Sequence, residues 1–109
     1  MNFTDYQEAS HETAIYPAIG HGVIYPCLGL TNEAGEVAGK IKKIFRDKGG
    51  VFGDKDREDI GAELGDVLWY LSQVASELGI SLDTVASNNI DKLLSRKNRN
   101  VLKGSGDNR

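Results

Sequence analysis

Apolar residues recur along most of this chain at intervals of three and four, the period of a helix with one face turned to a core. Between Tyr25 and Asp47 the series is Leu30, Ala34, Val37, Ile41, Ile44 and Phe45. Between Arg57 and Leu78 it is Ile60, Leu64, Val67, Leu68, Leu71, Val74, Ala75 and Leu78. A third series, Leu82, Val85, Ala86, Ile90 and Leu93, follows Ser81, whose hydroxyl is placed to cap a helix running to Arg99. A weaker stripe of Phe3, Tyr6, Ala9 and Thr13 predicts a first helix. It starts near Thr4, with Gln7 completing a capping box, and stops before Tyr16-Pro17. Residues 16 to 23 and Lys48 to Asp56 read as loops, and Gly49-Gly50 and Gly79 read as helix stops. No segment alternates like a strand. The expected fold is all-α, with four main helices in residues 1–99 and a polar tail over 100–109.

The second and third predicted helices repeat each other. A shift of thirty residues lays Leu30 on Ile60, Glu33 on Glu63, Gly35 on Gly65, Glu36 on Asp66, Val37 on Val67 and Ile41 on Leu71. Each helix thus carries two carboxylates three residues apart, which places both on one side of the helix. Relative to the apolar stripe these acids sit roughly a quarter turn away, at the boundary where a cleft between two helices lies. Any one of them alone would be an ordinary solvated acid. Four carboxylates converging at a partly dry boundary repel one another unless a cation holds them. Oxygen donors, with no cysteine pair and no histidine at ligand spacing, suit Mg²⁺ or Mn²⁺ rather than zinc.

Composition narrows the picture. The formal charge of −3 argues against nucleic-acid binding by bulk electrostatics. No apolar run approaches the roughly 20 residues that span a bilayer, and the opening Met-Asn-Phe-Thr-Asp-Tyr lacks a signal-peptide pattern. The single cysteine, Cys27, is expected to be a small apolar filler, and a reducing cytoplasm is the expected location. Basic residues appear where an anionic ligand would use them. Asn89, Lys92 and Arg96 share one edge of the last helix, and Lys40 lies one turn beyond Glu36. Either Lys40 meets phosphate or it pairs with Glu36. Trp69 falls nearly opposite its helix's apolar stripe, on the side of Gly61 and Gly65. That face suggests an oligomer interface completing a helical bundle; the alternative is that Trp69 covers the first or fourth helix.

At these residues the chain resembles the MazG-like nucleoside triphosphate pyrophosphohydrolases of the all-α NTP pyrophosphatase superfamily. The resemblance rests on Glu33-Ala-Gly-Glu36, twenty-six intervening residues, and Glu63-Leu-Gly-Asp66, within Leu28-Gly-Leu-Thr-Asn-Glu-Ala-Gly-Glu-Val and Gly61-Ala-Glu-Leu-Gly-Asp-Val-Leu-Trp-Tyr. Asn89-Ile-Asp-Lys-Leu resembles the family's fourth helix. The resemblance implies hydrolysis of a nucleoside triphosphate between its α- and β-phosphates. It implies Mg²⁺, with Mn²⁺ as a substitute, held by Glu33, Glu36, Glu63 and Asp66. It further implies phosphate contacts from Lys92, Arg96 and Lys40, sugar or base contacts from Asn89 and Tyr70, and a base contact from His21. Glu33 or Glu36 is the expected proton acceptor, and a homodimer or homotetramer the expected assembly. Phosphoribosyl-ATP or a similar derivative is an alternative substrate. A nucleotide-binding or helical interaction module without turnover is an alternative of another class.

Overall fold

The computed structural model describes residues 1–109, and they form four helices and no strand. These are α1 (Phe3–His11), α2 (Ile24–Lys48), α3 (Asp54–Glu77) and α4 (Leu82–Asn98). The two long helices start and stop close to where the apolar periodicity predicts. Gly49 closes α2 in the left-handed conformation (φ 60°), its N–H donating to the Ile44 carbonyl. Gly50 follows at φ 78°, where the left-handed backbone and the nearby Phe45 ring both exclude a side chain.

Helix α3 begins three residues before Arg57. The Asp56 carboxylate accepts the Gly53 N–H at 2.9 Å and the Lys48 ammonium at 2.7 Å, which fastens the first turn and shortens the loop. Helix α1 also starts early. Asn2, not Thr4, is its cap, accepting the Asp5 N–H at 2.8 Å. The helix also ends at His11, well short of Tyr16. Beyond it the Thr13 hydroxyl donates to the Ser10 carbonyl and accepts the Trp69 indole N–H.

Helices α2 and α3 pack as an antiparallel hairpin. Lys48 meets Asp56 near the turn, Lys40 meets Glu63 further along, and Gly29 lies against Tyr70 toward the open end. Helix α1 lies on α3 through a polar seam rather than the expected apolar stripe, since Phe3 and Ala9 are exposed. Ser72 and Gln73 are fully buried; Ser10 Oγ shares a hydrogen bond with Ser72 Oγ at 3.0 Å and accepts from Gln73 Nε2 at 2.9 Å. Gln7 extends the seam, donating to Ser76 Oγ and to the Ile80 carbonyl and accepting the Leu82 N–H. Every buried side-chain polar atom has a partner, so the seam carries no desolvation penalty for an unpaired group.

Helix α4 packs on α1 and α3 but not on α2. Its Leu82 is buried, yet Val85, Ile90, Leu93 and Leu94 are exposed, as are Phe45, Leu64 and Leu78 of the predicted core stripes. The radius of gyration is 16.9 Å, against about 13 Å for a compact domain of this length. Residues 100–109 fold back on the end of α4 instead of trailing as a polar tail. Arg96 donates to the Asp107 carbonyl at 2.8 Å, Arg99 to that of Arg109, and Arg109 to those of Val101, Leu102 and Gly106. No helix is long and apolar enough to cross a membrane.

Candidate metal centre

The antiparallel seam brings the acidic turns of α2 and α3 to one place. Oxygens of Glu33, Glu63 and Asp66 all lie within 4.8 Å of one another. Glu33 and Glu63 are half-buried, and Asp66 is exposed. Burial, and then the charges of Asp66, Glu63 and Glu36, push the Glu33 carboxyl up from its ordinary value. A raised carboxylate among carboxylates is the electrostatic signature of a site short of positive charge. One cation already answers it in part: Lys40 Nζ stands 3.4 Å from Glu63 Oε1. Lys40 therefore pairs across the seam, not with Glu36. Glu36 itself is exposed and outside the three-carboxylate group, although its charge reaches Glu33. Three hard oxygen donors with an exposed side fit Mg²⁺ or Mn²⁺.

An aromatic wall adjoins the acids. Gly29 of α2 has no β-carbon, and the Tyr70 ring occupies the space one would fill. The Tyr70 phenol is raised by burial and then by the neighbouring Tyr25, Glu33 and Asp66. Tyr25 stacks on Tyr16, with ring centroids 5.7 Å apart and planes within 6°. Trp69 meets Tyr70 edge-on at 5.0 Å and Tyr16 at 6.3 Å. Trp69 is thus held on one side within the chain by Tyr16, Tyr70 and Thr13, and it stays half-exposed. The glycine face beside it is open, since a β-carbon at Gly35, Gly61 or Gly65 would meet nothing. On α1 the Tyr6 phenol is raised by burial and then by the charge of Asp66. Toward the turn a depression of mixed charge is lined by Lys40, Lys43 and Lys48, by Asp47, Asp56 and Asp59, and by Ile44 and Ile60.

The remaining sequence-predicted residues lie apart from the acids. His21 is exposed in the turn before α2, its Nδ1 accepting the Val23 N–H. Asn89 and Lys92 are exposed on α4, and Lys92 forms no ion pair with the cluster. Arg96 is buried under the C-terminal segment by its bond to Asp107. Cys27 is exposed, not a core filler. Tyr6, Tyr16, Tyr25 and Lys43 are neighbours that sequence reasoning did not single out. Lys43 carried a signal, one turn beyond Lys40 on the same side of α2.

The MazG nucleotide pyrophosphohydrolase domain matches residues 26–101, which contain α2 from Pro26 onward and all of α3 and α4. The chain belongs to the MazG family. As a MazG-family chain it falls among nucleotide pyrophosphohydrolases, and the matched span includes the three converging carboxylates. It is also 51% identical, over 114 aligned positions covering the whole of both chains, to the "Gene 37 protein" of Mycobacterium phage L5. No solved structure matches the chain.

Proposed function

We propose that this protein hydrolyses a nucleoside or deoxynucleoside triphosphate between the α- and β-phosphates, releasing a monophosphate and pyrophosphate, with Mg²⁺ as cofactor and Mn²⁺ as a substitute. The observation that carries the reading is the convergence of Glu33, Glu63 and Asp66 from two helices of a MazG-family domain.

In this reading Glu33, Glu63 and Asp66 hold the metal, with Glu36 at the margin. The bound ion supplies Lewis-acid stabilisation of charge on the triphosphate oxygens. The chain's own residues do the rest. Water attacks the α-phosphorus, the bond to the bridging oxygen breaks, and pyrophosphate leaves with that oxygen. The proton of the attacking water passes to a carboxylate; Glu36, outside the three-carboxylate group, is the better placed acceptor, with Glu33 the second. Lys40, the partner of Glu63, would be free for phosphate if the carboxylates held a metal, and Lys43 lies on the same side. Tyr70 meets the sugar or base, and His21 the base.

Asn89, Lys92 and Arg96 reach the substrate from α4. Because α4 does not touch α2 within the chain, we assign this contribution to a second copy, in a homodimer or homotetramer. The exposed apolar residues of α4 and the open glycine face support that assembly. For Arg96 it requires that the Asp107 carbonyl give way to a phosphate, the stronger acceptor.

The test is Glu63→Gln. This near-isosteric change should abolish both turnover and the thermal stabilisation of the protein by Mg²⁺ or Mn²⁺. An unchanged rate with unchanged metal response would remove the metal site from the account.

A further inference from the structure

The segment between α1 and α2 is fastened to α3 at two points. The Trp69 indole N–H donates to Thr13 Oγ1 at 2.9 Å, and the Tyr16 hydroxyl donates to Glu77 Oε1 at 2.6 Å. Glu77 is an unusual choice for its place. It occupies the last turn of α3, where the helix dipole disfavours negative charge, and no basic residue in that turn offsets it. Room for it comes from Gly22, where a β-carbon would strike the Glu77 carboxylate. Three separate positions, Tyr16, Gly22 and Glu77, thus converge on one contact.

That contact does more than hold a loop. Tyr16 stacks face to face on Tyr25, and Tyr25 borders Tyr70, whose ring is seated on Gly29 beside Glu33. The stack has one bonded end, at Glu77, and one end beside the metal centre. Rings in contact transmit a displacement because packed side chains have little free volume to absorb it.

We propose that Tyr16, latched by Glu77, is a positioning residue that sets where Tyr70 stands against the sugar or base of the nucleotide. It rests on the proposed function for what Tyr70 touches. It goes beyond that reading in placing part of nucleotide recognition on a hydrogen bond outside the metal site. The latch includes none of the clustered acids, so the expected loss is in binding and not in the chemical step.

Trp69 is the chain's single tryptophan and contacts both Tyr16 and Tyr70, so its fluorescence reports on the wall directly. The experiment compares the wild type, Tyr16→Phe, Glu77→Ala, Glu77→Gln and the Tyr16→Phe/Glu77→Ala pair. Each is titrated with an α,β-imido deoxynucleoside triphosphate by Trp69 emission and assayed for turnover. Loss of the bond should raise both the analogue Kd and the KM about fivefold in either disruptive single variant, with kcat within about twofold. The pair should be no worse than the singles, as expected of two groups sharing one interaction. Glu77→Gln keeps an acceptor and should stay close to wild type.

Unchanged Kd and KM in a folded Tyr16→Phe or Glu77→Ala overturn the proposal. So does a loss confined to kcat, or additive effects in the pair. Should Tyr16→Phe fail to fold, the exposed Glu77→Ala decides alone. A wild type that binds the analogue without turning over any nucleotide removes the proposed function but leaves the latch to be judged on Kd.

Discussion

Lys40 and Glu63, on facing helices, form an ion pair 3.4 Å long at the edge of a three-carboxylate cluster. If Glu63 holds a metal as proposed, the pair is a resident cation that the ion would displace. Once displaced, the ammonium is free for a phosphate oxygen. Lys40→Ala is therefore expected to raise the KM for nucleotide while leaving metal-induced stabilisation equal or larger. The pair is partly exposed, so its own contribution to stability is small, about 0–1 kcal/mol. Thermal melts with and without Mg²⁺, together with steady-state kinetics, check both halves.

Glu33 contributes to the pH dependence of the metal-free protein. Its folded pKa lies above the ordinary 4.5 because of burial and the neighbouring carboxylates. The neutral form is favoured by folding, so the associated stability is fully present below the unfolded value and is lost as pH rises through the folded one. Glu33→Gln should thus raise the melting temperature of metal-free protein at neutral pH. It should also abolish stabilisation by Mg²⁺ or Mn²⁺. In the wild type, metal stabilisation should fade as pH falls through the raised value toward 4.5. Scanning calorimetry across that range reads all three effects.

Two glycines of α2 should behave oppositely on substitution by alanine. At Gly29 a β-carbon enters the Tyr70 ring, and the overpacking is expected to cost about 1–3 kcal/mol and to raise the KM. At Gly35 the added methyl meets nothing within the chain, so in the Leu94→Asp monomer the replacement of a helix-interior glycine by alanine should gain about 0.5–1 kcal/mol. Chemical denaturation of the two variants distinguishes a crowded site from an open one.

The exposed apolar side of α4 makes a prediction about assembly. Ile90→Asp and Leu94→Asp place a charge where a second copy is proposed to pack. Sedimentation should show a homodimer or homotetramer for the wild type and a monomer for either variant, with turnover lost alongside. A wild-type monomer at micromolar concentration would contradict the assembly.

How much of this was legible from the chain depended on which physical signal each feature left behind. Helices α2 and α3 were readable because their apolar spacing follows the helical period over about four and five turns, and the paired acids followed from the same geometry. The start of α3 was not readable to the residue, because Lys48 and Asp56 fasten it across a turn. Helix α1 was misplaced at both ends: Asn2 outcompeted Thr4 as a cap, and its docking face is a hydrogen-bonded polar seam without apolar periodicity. Glu36 and Asp66 look equivalent along the chain, yet only Asp66 joins the three-carboxylate group. Tyr16 and Tyr25 join one stack although nine residues separate them, because a turn between helices carries no period to betray its packing. Arg96 showed the spacing of a ligand-binding residue, but residues 100–109 fold back over it.

The most direct measurement is a product-resolved nucleotide screen. The protein is incubated with Mg²⁺ or Mn²⁺ and a panel of canonical and modified nucleoside and deoxynucleoside triphosphates, and the products are separated by mass. The account predicts monophosphate and pyrophosphate in equal amounts from at least one substrate, with none from Glu63→Gln. Diphosphate and orthophosphate as products, or no product from any nucleotide with either metal, would contradict it.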